Sequence, residues 1–269
     1  MTDMNMIIAE LENMGIEARA EAVNKNGTIK HGISIGGGNV RPVVYVDTLE
    51  GTPREIAEQV AKIAEDASPV NIGDVKSLVS RENILETVKA KVVPVTSYLE
   101  NKVYREFLDL AICYYIPVEG VEGGVINLTQ DICKNAKITE NQLFKAAMKH
   151  TTTRIKDMVD IMIEMMGMPE EMAEMMGGRG QQIVITNMDK NLGAIALAGN
   201  LDEACEILGT DEVYILPSSI HELIAVRANE PVEGFRNMVS EVNDTQVAEE
   251  ERLSYNVYKY TRGGEIAIA

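Results

Sequence analysis

Residues 213–227 decide the fold class, and they read Val-Tyr-Ile-Leu-Pro-Ser-Ser-Ile-His-Glu-Leu-Ile-Ala-Val-Arg. Two apolar runs, Val213 to Leu216 and Leu223 to Arg227, are typical of buried strands. The segment between them begins with a proline and two serines, which favour a turn. Strands joined by so short a connection pair in an antiparallel manner. The stretch therefore predicts a β-hairpin.

Further hairpins are predicted at both ends of the chain. Asn26-Gly27 favours a tight hairpin turn, and Gly36-Gly37-Gly38-Asn39 favours a second turn, so the N-terminal strands are expected to form an antiparallel meander. Gly263-Gly264 predicts a closing hairpin. Single helices are expected between the strand pairs. This order favours an α+β fold, with antiparallel sheets built from hairpin pairs and intervening helices, over a doubly wound parallel sheet.

Capping residues and apolar spacing locate the helices. Thr52 with Glu55, and Thr139 with Gln142, can each form a capping box at a helix start. Spacing predicts three further elements: a helix over 154–166, a helix over 231–242 and a strand over 194–198. Residues 104–116 are expected to begin as a helix or irregular segment and to end as a buried strand.

A break in the pattern divides the chain into two α/β halves. Gly167 and Pro169 end the methionine-rich helical stretch, and Gly177-Gly178-Arg179-Gly180 is typical of a flexible linker. We therefore expect an N-terminal half at residues 1–166, a linker at 167–180 and a C-terminal half at 181–269. The alternative is that both halves form one unit.

The net charge of −17 excludes some classes of partner. It arises from 42 acidic and 25 basic residues. Nucleic acids and anionic membranes are bound through lysine and arginine, so the protein is expected to bind neither directly. A basic protein would be attracted. Because acidic residues outnumber basic ones by more than two to one in residues 202–269, this C-terminal third is the expected contact region.

The cysteine, histidine and motif content predicts no metal site and no cofactor. The three cysteines, Cys113, Cys133 and Cys205, form no CxxC pair, and the three histidines are dispersed. Reduced cysteines fit a cytoplasmic location. The sequence predicts no signal peptide and no membrane-spanning apolar run. P-loop, GxGxxG, GxSxG and HExxH motifs are also missing.

The turn of the 213–227 hairpin concentrates residue types that take part in catalysis. Ser219 and His221 lie two apart, so on an extended chain their side chains would point the same way, and Glu222 follows. Together they are candidates for a hydrolase-like site. Triad residues usually come from distant segments, however, and no oxyanion hole is evident. We favour the alternative, in which Ser218 or Ser219 satisfies backbone groups of the turn and His221 forms a hydrogen bond nearby.

Methionine is concentrated in one segment of the chain. Nine of the 15 methionines lie between residues 148 and 176. Methionine fills irregular gaps in a core, and it also lines adaptable binding surfaces. Core packing is the more common role. A groove for a small molecule or a peptide is the alternative.

Several stretches together match the pattern of one family. They are Tyr-Ile-Leu-Pro-Ser-Ser-Ile-His-Glu at 214–222, Asp-Leu-Ala-Ile-Cys-Tyr-Tyr at 109–115, Met-Val-Ser-Glu-Val-Asn-Asp-Thr-Gln-Val-Ala at 238–248, Leu-Ser-Tyr-Asn-Val-Tyr at 253–258, and Ile-Val-Ile-Thr-Asn at 183–187 followed by Gly193-Ala194. Through them the chain resembles an uncharacterised bacterial family, a domain of unknown function that is common on mobile genetic elements. The resemblance covers nearly the whole chain. It implies a full-length domain, and it implies no catalytic residue.

These observations favour a non-enzymatic accessory or regulatory protein whose acidic surface binds a basic protein partner. Mimicry of a nucleic acid would be the sharpest form of this hypothesis. Two alternatives remain. One is a hydrolase-like enzyme that uses Ser219 and His221, and the other is a binder of a small molecule or peptide on the methionine-rich helices.

Overall fold

The computed structural model describes residues 3–36, 41–66, 75–118, 124–188 and 192–269. Contacts among these residues divide the chain into two compact units. Unit 1 comprises the described residues up to 66 together with Val118. Unit 2 comprises the other described residues, from 75 onwards.

Unit 1 is a three-stranded antiparallel sheet with two helices. Its elements are α1 (Met4–Asn13), β1 (Ala18–Lys25), β2 (Thr28–Ile35), β3 (Val43–Tyr45) and α2 (Pro53–Asp66). The strand order β1-β2-β3 confirms the predicted meander. Asn26 and Gly27 both have the positive φ that a tight hairpin turn requires. Gly37 and Gly38 of the second predicted turn lie outside the described residues.

The two helices of unit 1 bury one face each. The predicted capping box at the start of α2 is confirmed, since the Thr52 N–H donates to the Glu55 carboxylate at 2.8 Å and the Glu55 N–H donates to the Thr52 hydroxyl at 3.3 Å. The core of unit 1 consists of small and medium apolar side chains from both helices and the sheet: Ile7, Leu11, Ala18, Ile33, Val44, Ile56, Ala57 and Val60.

Unit 2 contains two antiparallel sheets with helices around them. Up to its middle, the elements are α3 (Val75–Leu78), α4 (Arg81–Thr87), β4 (Lys89–Pro94), a 3-10 helix (Ser97–Leu99), β5 (Tyr104–Phe107), β6 (Leu110–Pro117), β7 (Val125–Asn127), α5 (Gln130–Asn135), α6 (Glu140–His150), β8 (Thr153–Asp157) and α7 (Met158–Met166). The remaining elements are α8 (Glu170–Gly177), β9 (Gln182–Asn187), a 3-10 helix (Gly193–Ala198), α9 (Asp202–Leu208), β10 (Glu212–Pro217), β11 (Leu223–Arg227), α10 (Val232–Thr245), a 3-10 helix (Glu249–Glu251), β12 (Tyr258–Thr261) and β13 (Ile266–Ile268).

The two sheets of unit 2 share one apolar core. The smaller sheet has the order β4-β6-β5, with β7 also paired to β6, and the larger has the order β13-β12-β10-β11-β9-β8. Every strand pair described in these sheets is antiparallel. Ile112 and Tyr114 of β6 lie in the same buried cluster as Ile183 of β9 and Tyr258 of β12. The α+β fold class predicted from hairpin pairs is therefore confirmed.

The segment predicted as a linker, residues 167–180, lies within unit 2. Strand β8, which precedes it, pairs with β9, which follows it. Helix α8 occupies Glu170–Gly177 of that segment. The contacts thus divide the chain before residue 75 and not at 167–180. As a statement about independent folding, the halves 1–166 and 181–269 stay a prediction.

Three local predictions are wrong, and the two missed strands share one reason. Residues 154–157 belong to β8, so the predicted helix begins only at Met158, and residues 104–107 form β5. The predicted strand at 194–198 is a 3-10 helix. A short apolar run fits a helix and a strand equally well, and the neighbouring strand decides between them. Here β8 lies against β9, and β5 lies against β6.

We expect Ile33→Ala to destabilise unit 1 selectively. Ile33 is fully buried in the core of unit 1, so the substitution leaves a cavity that costs about 2–5 kcal/mol. Hydrogen exchange should then speed up for the amides of β1 and β2, whereas the amides of β10 and β11 keep their protection. The control is Ile29→Ala, at an exposed position of the same strand. Equal loss of protection in both units would contradict the division into units.

Candidate functional site

The turn between β10 and β11 is held at two points by backbone hydrogen bonds. The Ser219 N–H donates to the Glu222 carbonyl at 3.2 Å, which closes the turn itself. The Ile220 N–H donates to the carbonyl of Glu251 at 2.9 Å, which ties the turn to the 3-10 helix Glu249–Glu251. The candidate residues therefore lie on a fixed backbone.

His221 is the centre of a junction between three segments of unit 2, termed the His221 junction. Its carbonyl accepts hydrogen bonds from the Thr186 hydroxyl at 2.9 Å and the Gly193 N–H at 3.0 Å. Its ring Nδ1 lies 3.1 Å from the backbone N–H of Leu192, and its Nε2 lies 3.6 Å from a carboxylate oxygen of Glu251. Since Nδ1 accepts, the ring carries a proton on Nε2, facing Glu251.

The structure brings Ser219, His221 and Glu222 into one turn without coupling the serine to the imidazole. The Ser219 Oγ accepts a hydrogen bond from the His221 backbone N–H at 3.0 Å, and Glu222 is exposed. A serine side chain that caps the amide two residues later is typical of a turn. Among the hydrogen bonds of the described residues, the hydroxyl is joined to no base. A catalytic role of these three residues stays a prediction.

Close backbone packing at the His221 junction requires glycine at position 193. A Cβ on Gly193 would lie 2.4 Å from the Thr186 Oγ1, 2.5 Å from the His221 carbonyl oxygen and 2.6 Å from the Asn187 nitrogen. Real Cβ contacts are not this short, so any other residue would force the segments apart. The preceding Leu192 has a left-handed backbone, with φ of 57°.

A second cluster, termed the Asp109 cluster, joins the two sheets of unit 2. The Asp109 carboxylate accepts hydrogen bonds from the Ser254 hydroxyl at 2.7 Å, the Asn256 side-chain amide at 3.0 Å and the Tyr258 hydroxyl at 2.8 Å. The Asn243 side-chain amide donates to the Ser254 carbonyl at 2.9 Å. Burial raises the pKa of Tyr258, and Asp109 raises it further by accepting its proton in a hydrogen bond. The tyrosine therefore stays a donor.

Sequence reasoning did not single out the individual residues of the Asp109 cluster. Their only signal is that they occur in the stretches 109–115, 238–248 and 253–258, which carry the family resemblance. The His221 junction likewise combines 214–222 with 183–187 and 193–194. The resembling stretches thus meet in space, and their described contacts are those of a scaffold.

Lys91 is a buried cation in the smaller sheet of unit 2. Its side chain is only 6% exposed, and its Nζ donates to the Tyr98 hydroxyl at 2.7 Å, which in turn donates to the Asn127 side chain at 3.0 Å. Among the ion pairs of the described residues, none involves Lys91. Burial lowers the pKa of Lys91 to about 8. Burial also raises the pKa of the facing Cys113 thiol to about 11, so the thiol is protonated at neutral pH.

Helices α7 and α8 expose a set of methionines, termed the methionine surface. Its members are Met165, Met166, Met172, Met175 and Met176, and their exposed fractions range from 53% to 89%. Sequence spacing favoured a core role for this segment, and for these five residues that interpretation is wrong. The core contact between the helices is made by smaller residues, with Val159 and Ala173 fully buried.

The acidic excess of the C-terminal third is only partly neutralised within it. Three of its basic residues form ion pairs there, Arg236 with Glu233, Lys259 with Glu212 and Arg262 with Glu206. Asp202 also forms hydrogen bonds within this region. Its carboxylate accepts from the Gly263 N–H and from the Tyr260 hydroxyl, and both hydrogen bonds lower the pKa of the carboxyl. Contact of this region with a basic partner stays a prediction.

The described residues form no metal-binding cluster, and no helix among them could span a membrane. No group of three or more His, Cys, Asp and Glu side chains in the described ranges is arranged to hold a metal ion. Every helix within those ranges is too short or too polar to cross a bilayer. The three cysteines are free and buried.

Comparison with known proteins identifies the family. The model of a family of unknown function, DUF5688, matches residues 3–262, so the chain belongs to that family. No curated protein and no solved structure gives a significant match. The resemblance seen in the sequence is thus confirmed as far as membership of a family of unknown function.

We expect Gly193→Ala to destabilise the protein by about 3 kcal/mol or more, because the new Cβ has no space at the His221 junction. Gly234→Ala is the matched control. A Cβ at Gly234 meets no atom within 4 Å, and the site is helical, so we expect a gain of up to about 1 kcal/mol. Urea unfolding measures both changes. Similar effects of the two substitutions would contradict close packing at position 193.

We expect Lys91→Met to stabilise the protein at pH 7 and not at high pH. A folded-state pKa of about 8 against an ordinary value of 10.5 disfavours the charged amine in the native protein. The buried charged amine therefore lowers the free energy of unfolding of the wild type by about 3 kcal/mol. This loss is complete below pH 8 and disappears as the pH rises towards 10.5. Urea unfolding across this pH range tests it, with the exposed Lys145→Met as control. A pH-independent difference would contradict the buried charge.

Proposed function

We propose that this member of the DUF5688 family is a protein-binding protein, and that the methionine surface of α7 and α8 holds a basic amphipathic segment of another protein. The exposure of five methionines on two neighbouring helices carries the proposal. Exposed apolar side chains that cluster in this way are typical of interaction sites.

The methionine surface lies on two helices that pack against each other. Met172, Met175 and Met176 are spaced i, i+3 and i+4, so they share one face of α8. Met165 and Met166 end α7, three residues before α8 begins. At Gly177 the helices approach so closely that a Cβ would lie 3.3 Å from the Val159 side chain.

The chemistry of methionine suits a partner that is not rigidly complementary. The side chain is unbranched and polarisable, so it adapts to apolar surfaces of different shape. Fully burying one such side chain contributes about 1.5–3 kcal/mol. Burial of five exposed methionines therefore supplies a large part of the driving force that must offset the entropic cost of association.

The charges around the methionine surface favour a basic occupant. Residues 158–178 contain five acidic residues and no lysine or arginine. Arg179 forms ion pairs with Asp160, Glu170 and Glu174 at 2.7–3.2 Å, and Arg154 and Lys156 pair with Glu164, so three cations neutralise the five carboxylates only in part. The net charge of −17 adds to this local negative charge. The surface therefore attracts a segment whose apolar face is flanked by lysine or arginine.

The proposal joins two hypotheses from the sequence, the acidic surface and the methionine-rich binder. We further propose that the protein has an accessory or regulatory role. It would meet its partner in a bacterial cytoplasm, as the product of a mobile genetic element. The hydrolase-like alternative is less well supported, since the Ser219 hydroxyl accepts from a backbone amide.

Fluorescence anisotropy with a defined peptide tests the proposal. The probe is a short labelled peptide of leucine and lysine in helical spacing. Its controls are a scrambled peptide of the same composition and a peptide with glutamate for lysine. We expect the amphipathic basic peptide to bind most tightly, and Met172→Gln/Met175→Gln/Met176→Gln to weaken binding at least about tenfold. Glutamine keeps helix propensity and similar length.

The matched control replaces three exposed methionines that lie elsewhere, Met6, Met188 and Met238, with glutamine. We expect this variant to bind as the wild type does. Equal weakening by both triple variants would contradict the proposal, as would equal binding of the glutamate peptide. If the wild type instead self-associates through α8 and the peptide does not compete, the surface is a contact between copies and the proposal fails.

A further inference from the structure

Unit 1 contains a cavity that the proposed function does not use. It has a volume of about 690 Å³ and lies between α1, the end of β3 and α2. Pockets that take small ligands have volumes of roughly 300–1,000 Å³. The cavity therefore has the size of a ligand site.

The inner wall of the cavity is apolar. Ile7 of α1 and Ile56 of α2 line it and are almost fully buried, while Val46 and Leu49 line it from the segment between β3 and α2. These side chains belong to the core of unit 1 or lie against it. An aliphatic chain that enters the cavity would thus displace water from an apolar surface that is already formed.

The charged groups of the cavity lie at its rim, and most of them are acidic. Asp3, Asp47 and Glu50 line it together with one histidine, His31, and no lysine or arginine lines it. Backbone bonds hold two carboxylates in place: Asp3 accepts from the Asn5 N–H at 3.0 Å and Asp47 from the His31 N–H at 2.9 Å.

We infer that this cavity binds a small organic cation, an amine carried on a short aliphatic chain. The apolar wall accommodates the chain, and the rim carboxylates accept hydrogen bonds from the ammonium group. A carboxylic acid of the same length would be repelled by three carboxylates, and a neutral alcohol would gain only the contact with the wall. The site lies in unit 1, so it is independent of the methionine surface in unit 2.

Methyl NMR of the full-length protein tests the inference with three probes of equal chain length: n-hexylamine, 1-hexanol and hexanoate. We expect hexylamine to shift the methyl signals of Ile7 and Ile56 in a saturable manner. Hexanol should bind roughly tenfold more weakly, and hexanoate more weakly still. Signals of Ile183 and Ile215, in unit 2, should not move.

Isosteric variants separate the charge from the shape of the cavity. We expect Asp47→Asn/Glu50→Gln to weaken hexylamine binding roughly tenfold, because asparagine can still accept from the His31 N–H while the charge is lost. The control, Glu12→Gln/Glu58→Gln, removes two charges from unit 1 that do not line the cavity, and should bind within about twofold of wild type. Equal binding of hexanol and hexylamine, equal weakening by both variants, or no saturable shift would each overturn the inference.

Discussion

The hydrogen bonds to the Asp109 carboxylate fix how the two sheets of unit 2 meet. Asp109 precedes β6 of the smaller sheet, and its three donors come from residues 254–258, where the chain enters β12 of the larger sheet. The ring of Tyr258 is fully buried in the shared core, and a buried hydroxyl without an acceptor would be costly. One carboxylate therefore satisfies three polar groups. Apolar packing alone would not define how the two sheets are positioned against each other.

The His221 junction complements this contact within the larger sheet. The His221 carbonyl accepts from Thr186 of β9 and from Gly193 at the start of a 3-10 helix, so the hairpin turn, β9 and that helix meet at one oxygen. Stretches that carry the family resemblance thus supply a scaffold, in which serine and histidine satisfy backbone groups. In our proposals, binding is assigned to side chains that the scaffold does not use, the methionine surface and the rim of the cavity in unit 1.

Turn and capping residues predicted the fold well because they act through interactions between residues close together in the sequence. The turn Asn26-Gly27 and the capping boxes of Thr52 and Thr139 depend on neighbours within three residues, and all three are confirmed. The Asp109 cluster joins residues about 145 positions apart, which no spacing in the sequence reveals. The sequence also does not show which of these side chains are buried. Methionines have the same helical spacing on a core face and on an exposed face, and Lys91 occurs in an ordinary strand pattern.

A double-mutant cycle on Asp109→Asn and Tyr258→Phe measures most directly whether the Asp109 cluster holds the scaffold. Urea unfolding of the wild type, both single variants and the double variant gives the coupling free energy between the two side chains. The described geometry predicts a coupling of about 1–3 kcal/mol, because either substitution alone leaves a polar group poorly satisfied at the joint between the sheets. Effects that add to within about 0.5 kcal/mol would contradict it, since the two side chains would then contribute independently.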